Sequence, residues 1–326
     1  MSGAKTGVIY ACIAFVTYGI YPVYFKQLPD VPSLQLACHR VVWSFALLVP
    51  LFVWQVDWKS FRETALKPKV FATYLVSSLS LGGMWYLFLW GIANNYIVET
   101  SLGFFMNPVF SVLLAVVVLK ERLRLWQWVS VALAILGCLV IAIAYGKFPW
   151  LAFSIAILLT MYGFVKSTAP LKAIEGVTIE LGYLFLPALG GLIAFEVHGT
   201  GAFAHVSGTQ NALLVLAGLV TVFPLLLFAS AAHMISFSLL GLLQYIGPIM
   251  NFVIGVAIYH EPFSTSKLIG FILVWMSLAL YTVEGIIIRR RGAEKETTID
   301  SDVEKKDIDS VPDTPTTGFK QVEDTG

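Results

Sequence analysis

Ten apolar stretches, each of membrane length, restrict this chain to one kind of architecture. They cover residues 7–25, 36–54, 70–93, 97–119, 125–145, 149–166, 178–196, 211–234, 236–259 and 265–288. A helix of roughly 20 apolar residues crosses the hydrocarbon core of a bilayer. Inside lipid its backbone N–H and C=O groups must find partners within the protein. The expected fold is an all-α polytopic membrane protein. Composition agrees: 58% of residues are hydrophobic and 13% charged, against roughly 45–50% and 25% in soluble domains. The first stretch leads into Tyr18-Gly19-Ile20-Tyr21-Pro22 without a small-residue cleavage pattern, so it is expected to stay as the first span.

Lysine and arginine placement predicts the orientation. With the N-terminus in the cytoplasm, that side receives 13 basic residues, from Lys5 through the Lys120, Arg122, Arg124 turn and Lys166 and Lys172 to Arg289–Arg291. The other side receives 3: Lys26, Lys147 and Lys267. Both termini are therefore expected in the cytoplasm, with the plasma membrane as the expected location. Cys12, Cys38 and Cys138 show no metal or disulfide spacing and read as small buried apolar residues. No cofactor, metal or nucleic-acid partner is expected; the lipid bilayer is the one obligatory partner. Nothing in the sequence sets an oligomeric state.

One stretch is used twice. Ser101–Glu121 reads SLGFFMNPVFSVLLAVVVLKE, and Leu239–Glu261 reads LLGLLQYIGPIMNFVIGVAIYHE. A shift of 140 residues lays Pro108 on Pro248 and Glu121 on Glu261. Proline removes an N–H and crowds the carbonyl four residues earlier, here Phe104 and Gln244. Helix breaks are therefore expected at Pro108 and at Gly247-Pro248. Matched interrupted spans in the two halves of a chain point to a transporter's binding site. Five spans per half put the second repeat in the membrane upside down relative to the first. The expected organisation is a first repeat over 1–146, a second over 147–288 and a disordered acidic cytoplasmic tail over 289–326.

Polar and aromatic residues inside the spans supply the candidate binding site. Arg40 lies at the start of the second span, where a charge must snorkel, pair or face a cavity. The same shift lays Arg40 on Glu180 and Trp43 on Tyr183, so Arg40 and Glu180 are expected near opposite faces, as gates or substrate-orienting groups. Around the matched breaks lie Asn107 in one half and Gln244, Tyr245 and Asn251 in the other. With Tyr18, Trp43, Trp85 and Tyr183 these residues are expected to line a cavity; hydrogen bonding between helices is the rival account for the amides. Glu121 and Glu261 are expected to cap the helices that follow them.

The runs HRVVWS (39–44), LFLWGIANN (87–95), SLGFFMNP (101–108), KERLRLWQW (120–128) and GLLQYIGP (241–248) occur in order. On these runs the chain resembles the RarD-type branch of the EamA family, within the drug/metabolite transporter superfamily. The resemblance covers roughly residues 7–288. It implies ten transmembrane helices in two inverted five-helix repeats and solute movement by alternating access, with chloramphenicol-like drugs or amino-acid-like metabolites as cargo. Lys120-Glu121 and His260-Glu261 depart from the Gly-Glu usual at these repeat ends, and the acidic tail is longer than in compact bacterial members.

The reading reached is a secondary-active transporter for a small amphipathic or zwitterionic solute. In it Arg40 attracts a carboxylate, while Glu180 attracts an amine or titrates to couple protons. A phosphate-ester or nucleotide-sugar carrier is the alternative; it calls for several cavity cations, and Arg40 alone is expected inside. An intramembrane enzyme is more remote, because no aspartate lies in any span and the five histidines are scattered. The chain also contains no GxxxxGK[ST] run to cradle ATP phosphates.

Overall fold

A computed structural model describes residues 2–94, 96–145 and 148–258, with 265, 268–270, 272–277, 279–281, 283–285 and 287 beyond them. The long elements are helices, as lipid demands of apolar runs. They are α1 (Ser2–Phe25), α2 (Ser33–Gln55), α4 (Pro68–Ala93), α5 (Ile97–Val117), α6 (Leu125–Tyr145), α7 (Trp150–Thr168), α8 (Ala173–Val197) and α9 (Gly208–Ala232). Between α2 and α4 lies a short helix, α3 (Trp58–Ala65), and the ninth span is built from α10 (Phe237–Leu243) and α11 (Ile246–Ala257). Among the described residues, eight helices, including a last one at Leu268–Gly285, are long and apolar enough to cross a membrane; Leu102–Val117 and Phe237–Met250 are shorter apolar helices. The protein is an integral, multi-pass, all-helical membrane protein. The tail over 289–326 and Glu261 lie outside the described residues.

The 140-residue shift holds in the helix bounds. α2 and α8 begin at Ser33 and Ala173, α4 and α9 at Pro68 and Gly208, and α5 and α10 at Ile97 and Phe237. α5 and α11 end at Val117 and Ala257, again 257 − 117 = 140. α1 and α7 do not keep the shift, beginning at Ser2 and Trp150 and ending at Phe25 and Thr168, and α3 has no counterpart among the described residues. Asp57 starts α3 by accepting the N–H groups of Lys59 and Ser60, while Phe61 packs on Phe52.

The two halves are packed crosswise. α1 lies against α9 and α11, whereas α7 lies against α4 and α5. α2 packs on α8, and α5 on α10, so corresponding helices also meet one another. Close approach at two crossings depends on glycine. A Cβ on Gly241 would sit 2.7 Å from the Ser111 Cβ, and one on Gly218 would sit 2.5 Å from the Trp43 carbonyl carbon.

The prolines act differently from the expectation. α5 runs without a break through Pro108; the helix stays intact because the carbonyls a proline frees can be satisfied by neighbouring side chains and helices. α9 likewise runs through Pro224. The ninth span does break, but at Gln244-Tyr245 rather than at Gly247-Pro248. Pro248 thereby falls in the first turn of α11, where its missing N–H has no helical partner to lose. The chain crosses the break as a tight turn: the Gln244 N–H donates to Gly241 O, the Tyr245 N–H to Leu242 O and the Gly247 N–H to Gln244 O. The discontinuity is a tightening of the helix, with no unwound gap.

Glu121 also departs from the expectation. It caps α10, a helix 116 residues further on, rather than the helix that follows it. Its two carboxylate oxygens accept the N–H groups of Phe237 at 2.9 Å and Ser238 at 3.3 Å. A carboxylate there satisfies orphan donors and complements the helix dipole. Glu121→Ala is expected to lower stability by about 0.5–2 kcal/mol, the usual worth of an N-terminal cap. Glu121→Gln, which keeps one acceptor, should lose less; thermal unfolding of both in detergent checks this.

Candidate functional site

The candidate residues fall into two charged centres and one polar crossing. The first centre is Arg40, in the second turn of α2 and half-buried. Its Nε donates to Thr221 Oγ1 of α9 at 3.0 Å. Three rings surround its guanidinium carbon: Trp85 of α4 at 4.7 Å, Phe25 of α1 at 5.1 Å and Tyr21 of α1 at 5.3 Å. Aromatic faces attract a cation through their quadrupoles. Among the described residues, no carboxylate reaches ion-pair distance of Arg40. Tyr18 stands edge-on to Tyr21, with centroids 5.3 Å apart. Trp85 and Arg40 are thus in contact, Tyr18 joins them through Tyr21, and Phe25 and Thr221 complete the cluster.

Trp43, one turn along α2, does not join that cluster. Its ring packs on Phe203 at 5.7 Å, in the segment between α8 and α9. His39 is buried against the same Phe203.

The second centre is Glu180, which the structure pairs with a cation. Its carboxylate is fully buried and lies 2.5 Å from the Nζ of Lys166, itself 2% exposed. Ser77 of α4 donates to Glu180 Oε1, and Ser78 donates to the Glu180 backbone carbonyl. Lys166 also lies over the rings of Tyr162 and Tyr74, at 5.4 and 5.9 Å. Lys166 had been counted as a surface charge, and Arg40 as the sole interior cation; both readings fail for the same reason. Position near a helix end fixes depth but not rotation, and rotation turns Lys166 inward. The one available signal was its i, i+4 spacing from Tyr162, which puts both on one helix face. Tyr183 is not at this centre: it packs on Phe71, and its hydroxyl donates to the Phe71 carbonyl. His233, the cap of α9, is exposed at this end; partial burial first, then the Lys166 charge, hold its imidazole below the usual pKa.

A run of aromatic contacts joins the two centres. From Arg40 it passes through Tyr21, Tyr18, Phe15, Phe228 and Tyr162 to Lys166, with ring-to-ring steps of 5.3, 6.3, 5.8 and 5.8 Å. Its members come from α1, α7 and α9, so this core belongs to both halves of the chain.

The polar crossing lies where α5 meets the broken ninth span. The Asn107 amide donates to Gln244 Oε1, and its own oxygen accepts from Thr160 Oγ1 at 3.0 Å. The two amides therefore bond between helices, the rival account for them, and tie α5 to α7 and to the α10–α11 turn. Tyr245 is fully buried beside them. The side chain of Asn251 lies outside the described residues. Among the described residues no group of three or more His, Cys, Asp or Glu could hold a metal.

Buried charges and amides in a bundle of membrane-spanning helices define a protein of solute-transport architecture. The comparisons make that class specific. Residues 5–143 match the EamA-like transporter family. An uncharacterized transporter of Bacillus subtilis, YojE, is 36% identical over 88% of this chain and 96% of its own length. Protein RarD of Escherichia coli is 35% identical over 89% of this chain and 98% of its own. A more distant relative, the chloramphenicol-sensitive protein RarD of Pseudomonas aeruginosa, is 25% identical over 89% and 97%. A crystal structure 16% identical to this chain shares its fold with a TM-score of 0.64, over 85% of this chain and 97% of that one. The chain belongs to the EamA-like transporter family, in its RarD-type branch.

Proposed function

We propose that this protein is a secondary carrier that moves a small amphipathic or zwitterionic solute by alternating access. The observation that carries this is Arg40: a guanidinium within a membrane span, ringed by side chains from α1, α4 and α9 and lacking an ionic partner among the described residues. A charge so placed is costly unless a ligand or water meets it. Tyr18, Tyr21, Phe25, Trp85 and Thr221 complete the solute site, and residues 1–146 and 147–288 are the two repeats whose rocking exposes it. The excess of basic residues on one side supports cytoplasmic termini, in the plasma membrane. Glu180, held by Lys166, is the group through which a proton would couple. The printed name of the Pseudomonas aeruginosa relative puts chloramphenicol on the panel of solutes to test.

Uptake into everted vesicles carrying the protein tests this, with labelled metabolites and chloramphenicol, with and without an inside-acid gradient. Accumulation above empty vesicles is expected for at least one solute. Arg40→Gln, at matched expression, should lower that uptake at least about tenfold, since hydrogen bonds to a charged group are worth about 1.5–3 kcal/mol. Unchanged uptake would remove Arg40 from the site.

A further inference from the structure

The Arg40 cluster restricts the chemistry of its ligand. Resting on the carrier reading above, we propose that this site selects organic monocarboxylates with a flat apolar body, and that solutes lacking a carboxylate bind poorly.

Four observations carry it. The guanidinium has no carboxylate neighbour within ion-pair reach among the described residues, so its charge is left for an anion that arrives from outside the chain. Its Nε is committed to Thr221; a guanidinium carries its other N–H donors on the two terminal nitrogens, in the planar geometry that matches the paired oxygens of a carboxylate.

Among the described residues the charge there is single. Lys26 is exposed, His39 is turned to Phe203, and Lys166 is committed to Glu180. One cation balances a monoanion; a phosphate ester, nearly dianionic at neutral pH, would enter an apolar span with half its charge uncompensated.

The walls are rings. Trp85, Phe25 and Tyr21 stand 4.7–5.3 Å from the guanidinium carbon, and Tyr18 extends the surface. Rings so arranged favour a flat body with offset or edge-on contacts.

Finally, an amine finds no acid. Glu180, the acidic residue at the equivalent position of the other half, is fully buried against Lys166 and Ser77. Among the described residues, the side chains gathered round Arg40 offer an ammonium a hydroxyl oxygen and ring faces. Arg40 repels it.

Binding to the purified full chain in nanodiscs tests the proposal, read by thermal shift and intrinsic tryptophan fluorescence. The probes are indole-3-acetate and 3-phenylpropionate, with 3-phenylpropanol, phenethylamine and phenyl phosphate as the neutral, cationic and dianionic counterparts. Both carboxylates are expected to bind at least about tenfold tighter than the alcohol, the scale of a charge-assisted hydrogen bond. Arg40→Gln should erase that preference. Thr221→Val, which frees the Nε without removing the charge, should weaken it several-fold and serves if Arg40→Gln does not fold. Equal or tighter binding of the alcohol, the amine or the phosphate would overturn the proposal, as would a carboxylate preference that survives Arg40→Gln. The same panel in a proteoliposome flux assay separates the two readings. Movement of a neutral or cationic probe without carboxylate binding leaves the carrier standing and sinks the selectivity. Movement of nothing, by a protein that binds carboxylates, sinks the carrier and leaves the site.

Discussion

Lys166→Met is expected to destabilise the protein by about 3–5 kcal/mol, the cost of leaving one partner of a buried ion pair alone. Glu180 would then hold a charge at zero exposure with Ser77 as its remaining side-chain donor. Glu180→Gln strands the ammonium instead, against the rings of Tyr162 and Tyr74, and should cost a similar amount. The informative variant carries both changes. Replacing a whole buried pair is often close to neutral, so Lys166→Met with Glu180→Gln should recover most of the loss. Denaturation in mixed micelles gives all three values. A double variant as unstable as the worse single one would mean that Tyr74, Tyr162 and Ser77, rather than the pair, set the stability of this end. The pair also joins α7 and α8 to α4, so on the proposed alternating-access reading an opening of this end must part it. Uptake by the double variant, if stable, reports whether the pair is needed for turnover or only for closure.

Gly218→Ala is expected to do comparable harm by different means. The added Cβ would lie 2.5 Å from the carbonyl carbon of Trp43 and 2.8 Å from the Ser44 nitrogen. Both are helix backbone, which cannot swing aside as a side-chain end can, so α2 and α9 must separate. Overpacking of this kind costs about 1–3 kcal/mol and occasionally more. Separation would also stretch the bond from Ser44 Oγ to the Gly218 carbonyl, now 3.1 Å. One turn along the same two helices sits Arg40 on Thr221. Solute affinity should therefore fall along with stability. Gly190→Ala in α8, where a Cβ would meet nothing within 4 Å, is the matched control and should be silent in both measurements. If Gly218→Ala leaves affinity intact, the α2–α9 contact does not set the register of the site.

The sequence exposed what depends on linear pattern. Apolar runs must become helices in lipid, so the spans could be placed, and the shift that matched Pro108 with Pro248 also matches Ser33 with Ala173 and Pro68 with Gly208 at helix starts. Features that depend on rotation were hidden. Lys166 and Arg40 both stand near helix ends with similar apolar neighbours, yet one is sealed and the other half-open. Their difference comes from which helix packs on which face. The effect of a proline was half legible: the carbonyl it crowds, Gln244, does mark the break in the ninth span, but at Pro108 the helix continues. Of the candidate residues, Arg40 and Trp85 meet, with Tyr18 reached through Tyr21. Trp43 packs on Phe203, Tyr183 on Phe71 and Glu180 on Lys166, because a shift between halves predicts equivalent positions, and equivalent positions here carry different residues against different neighbours.

The crosswise packing bears on how the chain is made. α1 is synthesised first, yet it packs on α9 and α11, which are synthesised after nearly everything else. Glu121 likewise waits for Phe237 and Ser238. Until then the early helices hold their depth in lipid with their final partners missing, and the first five cannot close into a finished unit. Cutting the chain between α6 and α7 should therefore yield two fragments that are each protease-sensitive alone and become resistant when produced together. The repeat makes the halves alike, but maturation belongs to the whole chain.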